Sequence, residues 1–326
     1  MEAFEYHQPT DLRDASLLLK RAGAEAAINS GGTDLLDLMK EGIATPKQLV
    51  NLKRIKGLRG IDYTKGRELR IGALTTLHEI ATHPVIQERF TALSEAASKS
   101  ASPQLRNMGT LGGNLCQRPR CWYFRSNEFP CIRKGGKDCF AVSGENKYHC
   151  VIGGGPCYIV HPSDPAVALV ALDARVIIQN QKKRREVSIH EFFLLPEDDP
   201  TRETILEPGD IVTEVLIPEP ASGKRSGYRK FMFRESWDFA VVSVAGVLRI
   251  EGGQILSGKI TLGGVAPMPW TEEIVGAALP GMRIGAEEIA RVSEVALSGA
   301  EPMGQNDYKV PLARNLIAEM LERLTA

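Results

Sequence analysis

The sequence predicts an α+β protein in two parts: a larger N-terminal domain built around glycine loops, and a C-terminal domain of three antiparallel strands with helices. Three observations carry this expectation. A strand, a glycine turn and a helix form a compact unit near the N-terminus, the stretch from Pro218 to Lys224 reads as a linker, and three strand-like runs followed by two helical runs close the chain. The expected domains are therefore 1–221 and 222–326, with the first divided into a small part, 1–51, and a larger part, 52–221.

In order, Leu12 to Ala22 has the spacing of a short helix, and Ala26 to Asn29 that of a strand running into the turn Ser30-Gly31-Gly32-Thr33-Asp34. Leu35 to Glu41 is helical in spacing, with Gly42 placed to stop it. Gln48 to Leu52 and Leu69 to Ala73 read as strands, and Pro84 opens a helix expected to run to Lys99. Residues 102–114 hold too many glycines for a regular element and are expected to form a binding loop. His161-Pro162-Ser163-Asp164-Pro165 leads into an apolar helix, Ala166 to Leu172, with Ser163 or Asp164 as cap and Pro165 in its first turn. Val176 to Gln179 and Ile211 to Ile217 are further strands. Past the linker, Tyr228 to Arg234, Ala240 to Ile250 and Gly258 to Val265 make three more, with Glu251-Gly252-Gly253 as a turn. Helices are expected from Ala286 to Leu297 and from Pro311 to Leu324, the latter with Leu312, Leu316, Met320 and Leu324 on one face.

Composition excludes several function classes. Lys and Arg number 40, as do Asp and Glu, so no excess positive charge draws nucleic acid or an anionic membrane. The longest apolar runs, Ala166 to Leu172 and Phe239 to Leu248, fall far short of the about 20 residues a membrane helix needs. The acidic start, Met1-Glu2-Ala3-Phe4-Glu5, is unlike a signal peptide, so any export is expected to rely on a partner. The 6 histidines show neither metal-ligand nor triad spacing, which predicts no catalytic residue on this chain and a substrate site elsewhere.

All 6 cysteines lie between Cys116 and Cys157, among Arg118, Arg120, Arg125, Arg133, Lys134, Lys137 and Lys147. Three chemistries compete for such a segment. Disulfides would staple only one loop of a chain large enough to have its own core. Structural zinc favours paired C-x2-C knuckles, and the segment has none. An iron–sulfur cubane takes one thiolate at each of four corners, tolerates irregular spacing, and is served by surrounding positive charge. The last reading fits the segment best.

Two glycine loops, Ser30-Gly31-Gly32-Thr33-Asp34 and Gly109-Thr110-Leu111-Gly112-Gly113-Asn114, have the residues to bring backbone N–H groups close to a diphosphate. Each is equally readable as an ordinary tight turn. Neither fits G-x-G-x-x-G or the P-loop pattern, which argues against a Rossmann site or an ATPase.

Taken together, Ser30-Gly-Gly-Thr-Asp-Leu-Leu36, Arg106-Asn-x-x-Thr-x-Gly-Gly-Asn114, Asp164-Pro-x-x-Ala-Leu169 and Lys230-Phe-x-x-Arg-x-x-x-x-Phe-Ala-Val-Val-Ser-Val-Ala245 resemble the FAD-binding subunit of molybdenum hydroxylases, the xanthine dehydrogenase family. The resemblance covers essentially the whole chain. It implies a two-part FAD-binding domain of the PCMH type and a C-terminal domain of the carbon monoxide dehydrogenase flavoprotein type. Most members run almost directly from the second glycine loop to the Asp-Pro helix, whereas here residues 116–159 intervene. An insertion at that place resembles the flavin subunits of 4-hydroxybenzoyl-CoA reductase and of periplasmic aldehyde oxidoreductase, which carry a 4Fe-4S cluster in it. The run Gln117-Arg-Pro-Arg-Cys-Trp-Tyr-Phe124, with Pro130-Cys131, Cys139 and Cys157, looks more like the aldehyde enzyme.

The resemblance implies Cys121, Cys131, Cys139 and Cys157 as cluster ligands. Cys116, beside the second glycine loop, is an alternative to one of them, and Cys150, in Tyr148-His-Cys-Val-Ile152, reads as a small apolar residue in a strand core. It implies FAD contacts from Asn29, Ser30, Gly31, Gly32, Thr33, Asp34, Leu35, Arg106, Asn107, Thr110, Gly112, Gly113, Asn114, Ser163, Asp164 and Lys230. Asp164 is also readable as a plain helix cap, Lys230 as a solvated edge lysine, and Trp122 and Tyr123 as packing or as a shield for the cluster. The implied function is electron transfer within a heterotrimer: a large subunit with the molybdenum cofactor, a small subunit with 2Fe-2S clusters, and FAD on this chain handing electrons to an external acceptor. The alternatives are the corresponding subunit of a 4-hydroxybenzoyl-CoA reductase and a zinc-stabilised binding module without redox chemistry.

Overall fold

The computed structural model describes residues 1–283 and 285–326. Among the described residues, twelve strands form three separate sheets. The first is small and parallel, β1 (Glu5–His7), β2 (Ala26–Asn29) and β3 (Gln48–Asn51) in the order β1-β3-β2. The second contains β4 (Ile61–Tyr63), β5 (Leu69–Gly72), β6 (Arg175–Gln179), β7 (Arg184–Ser188) and β8 (Ile211–Ile217), antiparallel in the order β4-β5-β8-β6-β7. The third runs β12-β11-β10-β9, from β9 (Lys224–Phe231), β10 (Val242–Glu251), β11 (Gln254–Gly263) and β12 (Trp270–Thr271). The two-residue β12 adds a fourth strand to the three that the sequence suggests.

Local sequence accounts for most helix ends. Asp11 caps the helix Leu12–Ala22 by accepting from Asp14 N, and Gly23, at φ 54°, closes it. Two expectations change. The helix expected from Pro84 to Lys99 is two helices, Pro84–Arg89 and Thr91–Lys99, broken at Phe90 (φ −125°, ψ 46°). Phe90 is completely buried, and the break turns its ring into the core against Tyr63. The segment 102–114, expected to be irregular, holds the short helices Pro103–Arg106 and Leu111–Leu115, because Ser102 and Thr110 each cap one by accepting a backbone N–H.

The helix Asp164–Ala171 is buried along its whole length and forms the seam between the domains. It packs against the helix Thr91–Lys99 on one side and β10 and β11 on the other. The main core, with Phe90, Leu93, Leu169, Val176 and Phe192, continues across it into Tyr228, Ala245 and Val247 of the third sheet. A second core joins β10 and β11 to the helices Ala286–Glu294 and Lys309–Thr325 through Leu262, Val292, Ile317 and Met320.

Lys309, only 1% exposed, opens the last helix and donates from Nζ to the carbonyls of Tyr148 at 2.9 Å and Gly264 at 2.6 Å. Burial pushes its pKa down to about 7, and a neutral amine still has two N–H groups for two carbonyls. The folded state therefore binds fewer protons than the unfolded chain between about pH 7 and the ordinary lysine value of 10.5. Stability should rise with pH across that window, and Lys309→Met should remove the rise, read by thermal unfolding from pH 7 to 9.

Candidate functional site

The two glycine loops face each other across the gap between the first and second sheets. Gly32 holds φ 76°, which turns the chain from β2 into the helix Leu35–Lys40. Gly31 is required for a different reason: a Cβ on it would lie 2.3 Å from the carbonyl oxygen of Met108, so the two loops touch through backbone. The second loop is pinned from behind, with Gly112 N donating to Ala73 O at 2.8 Å, Leu111 N to Thr75 O at 2.9 Å and Leu77 N to Gly109 O at 2.9 Å. Thr110 Oγ1 accepts from Gly113 N and donates to Ser30 Oγ at 3.2 Å, joining the loops. Ser163 Oγ donates to Asn114 Oδ1 at 2.5 Å and caps the Asp164–Ala171 helix by accepting from Ala166 N at 3.1 Å.

Between these loops lies a cavity of about 600 Å³, within the size range of cofactor sites. Ser30, Gly31, Gly32, Thr33, Asp34, Leu35, Thr110, Gly112, Gly113, Asn114 and Asp164 line it. Among the described residues, the backbone N–H groups of Gly31, Gly32 and Thr33 donate to no protein acceptor. Asn29 lies beneath this turn with its Oδ1 buried and unpartnered. Apolar walls from Ile28, Leu77, Ile211 and Val212 complete an elongated site with amide donors at one end. These features suit a dinucleotide whose diphosphate needs donors and whose ring needs a dry slot.

Several residues expected in this site are placed outside the lining. Arg106 turns back to donate from Nη1 to Ser100 O at 2.9 Å, and Asn107 is exposed at the end of the Pro103–Arg106 helix. Ser163 acts through Asn114. Lys230, whose side chain is 1% exposed, spends its three Nζ hydrogens on Asp164 Oδ2 at 2.8 Å, Asp238 O at 2.8 Å and Lys99 O at 3.1 Å. It is neither a solvated edge lysine nor free to reach a cofactor; it holds the carboxylate of Asp164, which also accepts from Tyr228 Oη at 2.5 Å. Removing one partner of such a buried pair costs about 3–5 kcal/mol. Lys230→Met should accordingly lower the thermal midpoint by several degrees, while Asp164→Asn combined with Lys230→Met should recover part of the loss.

The lining also includes residues that were not among those expected to contact the cofactor. Arg120, from the cysteine segment, and Arg234, Trp237, Asp238 and Phe239, from the connection between β9 and β10, form one wall. Arg120 stacks over the Phe239 ring at 4.7 Å, and burial lowers its pKa to about 10 despite the nearby Asp34. Arg234 and Phe239 stand in the motif that begins at Lys230, so their spacing was the available signal.

Asp34 ties the first glycine loop to the cysteine segment. Its carboxylate takes Arg125 Nη2 at 2.6 Å, Arg120 Nη2 at 2.9 Å and the backbone N–H of Arg118 at 2.8 Å. Beyond this anchor lie Cys121, with the Cys131 and Cys157 sulfurs among its neighbours, and Cys139 beside Cys157. The neighbouring Cys139 thiol and the guanidinium of Arg133, whose Nε is 3.3 Å away, hold the Cys157 thiol below its ordinary value against the effect of burial. The nearness of Cys157 raises Cys139. Burial raises Cys121 to about 11, with the charges of Cys157 and Cys131 adding to it. Arg133 is itself paired with buried Glu203, which also takes Arg118 Nε at 3.1 Å.

The other two cysteines have different surroundings. Cys116 lines the glycine-loop cavity and packs on the main core, and burial pushes its thiol up to about 12. Cys150, 1% exposed, has its thiol raised to about 12 by burial. It is not in a strand as expected; Cys150 N donates to Tyr158 O at 3.0 Å within an irregular, buried turn. Tyr123, Phe129 and Phe140 pack ring against ring, with Phe140 in the cluster that holds Cys121 and Cys131, while Trp122 stays 38% exposed against Tyr148 and His149. Among the described residues, no three His, Cys, Asp or Glu side chains are set to hold one metal ion, a poor match to single zinc.

Residues 2–220 match the family of the FAD binding domain in molybdopterin dehydrogenase, and residues 226–324 match the CO dehydrogenase flavoprotein C-terminal domain. The chain is an FAD-binding subunit of the molybdopterin dehydrogenase family. This flavin subunit is 37% identical over 329 residues to the aldehyde oxidoreductase FAD-binding subunit PaoB of Escherichia coli (strain K12), covering 100% of this chain and 99% of that one. It is 29% identical to the solved carbon monoxide dehydrogenase from Hydrogenophaga pseudoflava, with a TM-score of 0.78 over 98% of this chain and 96% of that one. Against the reconstituted CO dehydrogenase from Oligotropha carboxidovorans the TM-score is 0.79 at 26% identity, over 99% of this chain and 98% of that one. The flavin subunit therefore has the fold of a CO dehydrogenase medium chain and is an oxidoreductase subunit that transfers electrons through FAD.

Proposed function

We propose that this chain is the FAD- and 4Fe-4S-binding electron-transfer subunit of a heterotrimeric molybdenum-dependent aldehyde oxidoreductase. The observation that carries this reading is the convergence of Cys121, Cys131, Cys139 and Cys157 in a nest with Arg133, joined through Asp34 to the glycine-loop cavity. Four thiolates from separated positions match a cubane, which takes one sulfur at each corner. The aldehyde assignment rests on the 37% identity to a subunit of that named activity. A large subunit with the molybdenum cofactor and a small 2Fe-2S subunit are the proposed partners, and an external acceptor the proposed outlet.

When bound, the flavin takes electrons singly from clusters and releases them as a pair. The chain's own residues bind and orient it. Gly31, Gly32 and Thr33 offer amide donors for the diphosphate, and Asp34 keeps their loop in register with the cysteine segment. Ile211 and Val212 keep one wall dry, and Lys230 and Tyr228 fix the Asp164 carboxylate at the edge of the slot. Cys121, Cys131, Cys139 and Cys157 would hold the cluster, with Arg133 balancing its negative charge. Residues 116–159 would thus place the two redox groups beside each other.

The test is purification of the full chain with its accompanying subunits. Flavin absorbance with a broad brown shoulder, about four irons per chain beyond those of the partners, and molybdenum in a co-purifying large subunit are expected. A yellow protein without the extra iron would leave the flavin subunit and sink the cluster. Reduction of an aromatic acyl-CoA thioester by the complex, in place of aldehyde oxidation, would favour the 4-hydroxybenzoyl-CoA reductase reading.

A further inference from the structure

The side chains that touch the sulfurs are not equivalent. Cys157 has the Arg133 guanidinium; Cys121 has an imidazole, with His149 Nε2 3.3 Å from its Sγ. A metal-bound thiolate offers only lone pairs, so a ring nitrogen held at this distance serves it as an N–H donor.

His149 is 3% exposed and held from several directions. Its ring lies edge-on to Trp122 at 5.6 Å and tilted against Tyr123 at 6.0 Å. Its backbone is gripped by a turn of the C-terminal domain: Asn306 Nδ2 donates to His149 O at 3.1 Å and to Cys150 O at 2.9 Å, and Lys309 Nζ donates to Tyr148 O at 2.9 Å. Asn306 is itself fully buried. Cys121, by contrast, follows Arg120, which is bound to Asp34 of the first glycine loop. The 3.3 Å contact therefore joins a sulfur fixed from the flavin side to a ring fixed from the C-terminal side.

We propose that His149 is a positioning residue for the iron–sulfur group, and that its Nε2–H, aimed at Cys121 Sγ by the Asn306–Lys309 turn, raises the reduction potential of the bound cluster. The inference rests on the cluster reading above. The couple is a one-electron change: the cluster and its four thiolates gain one negative charge, supplied in the test by dithionite, and no proton or bond is exchanged. A hydrogen bond to a ligand sulfur favours that more negative state.

The experiment uses the full chain in its native assembly. Iron content and the EPR signal of the reduced protein come first; if the extra iron is absent, the cluster reading and this inference fall together. If it is present, an EPR-monitored redox titration of His149→Phe, which keeps a ring and loses the donor, is expected to show the reduced-to-oxidised ratio down about tenfold at a fixed potential, about 59 mV for one electron. His149→Gln, which can return an N–H, should recover part of the shift. A second measurement needs no variant: electron spin-echo spectroscopy of wild-type protein with isotope-labelled histidine should show one weakly coupled nitrogen at this cluster. Unchanged potential in His149→Phe, or no nitrogen coupling, overturns the inference and leaves the cluster standing. Strong coupling would make His149 an iron ligand and also overturns it.

Discussion

Cys121→Ser, Cys131→Ser, Cys139→Ser and Cys157→Ser should each reduce the cluster iron from about four atoms per chain to less than one, because each sulfur supplies one corner. Cys150→Ala and Cys116→Ala should keep the iron. Cys150 is buried in a turn held by Tyr158 and Asn306, and Cys116 belongs to the wall of the glycine-loop cavity. Binding of a metal group is linked to local folding, so loss of the cluster should expose the basic insertion to protease. Flavin should be retained better than iron, since the second glycine loop is held by Ala73, Thr75 and Leu77 and the first touches it through the Gly31–Met108 backbone contact. Iron analysis, EPR and limited proteolysis of the six variants check this. Four irons surviving in Cys139→Ser, or loss of the cluster in Cys150→Ala, would refute the ligand assignment.

Gly31→Val and Gly112→Val should weaken FAD binding by about tenfold or more. A Cβ at Gly31 would stand 2.3 Å from Met108 O, and one at Gly112 would stand 2.9 Å from Ala73 Cβ. Neither neighbour can yield without moving backbone, and overpacking of this kind costs about 1–3 kcal/mol, where 1.4 kcal/mol is tenfold. Gly32→Val adds strain of a different origin, through φ 76°. The effect comes from spreading the two loops, so the amides of Gly31, Gly32 and Thr33 lose their common focus. Flavin content after gel filtration and the dissociation constant of the apoprotein for added FAD measure it. Full occupancy in both Gly31→Val and Gly112→Val would show that the diphosphate lies elsewhere.

Several helix starts, the strands β2, β3, β5, β6 and β8 and the glycine turns were legible in the sequence because they depend on neighbours in the chain. By contrast, β1, β4 and β7 were not read, and β9 starts at Lys224 inside the expected linker, ahead of the expected Tyr228–Arg234. Asp11 before Leu12, Ser163 before Asp164-Pro165 and the apolar run of β8 specify themselves through capping, fixed φ and a nearly unbroken stretch of mostly β-branched apolar residues. The break at Phe90 was not legible, since helix spacing continues through it and only burial of that ring in the core decides the turn. Local glycine content likewise misled over 102–114, where two caps outweigh the entropy cost of the glycines.

At the candidate site, the sequence alone determined which residues are chemically able to act: the glycines of both loops, the six clustered cysteines, and the surrounding arginines. Tertiary structure decided their roles. It turned Lys230 away from the cavity toward Asp164, brought Arg120 and Phe239 into the wall, bound Asp34 to Arg125, and set His149 against Cys121. Spacing along the chain fixes conformation over a few residues. The pairing of distant groups is set by what each buried charge or donor must find when water is removed, and that is known only once the sheets and the seam helix have packed.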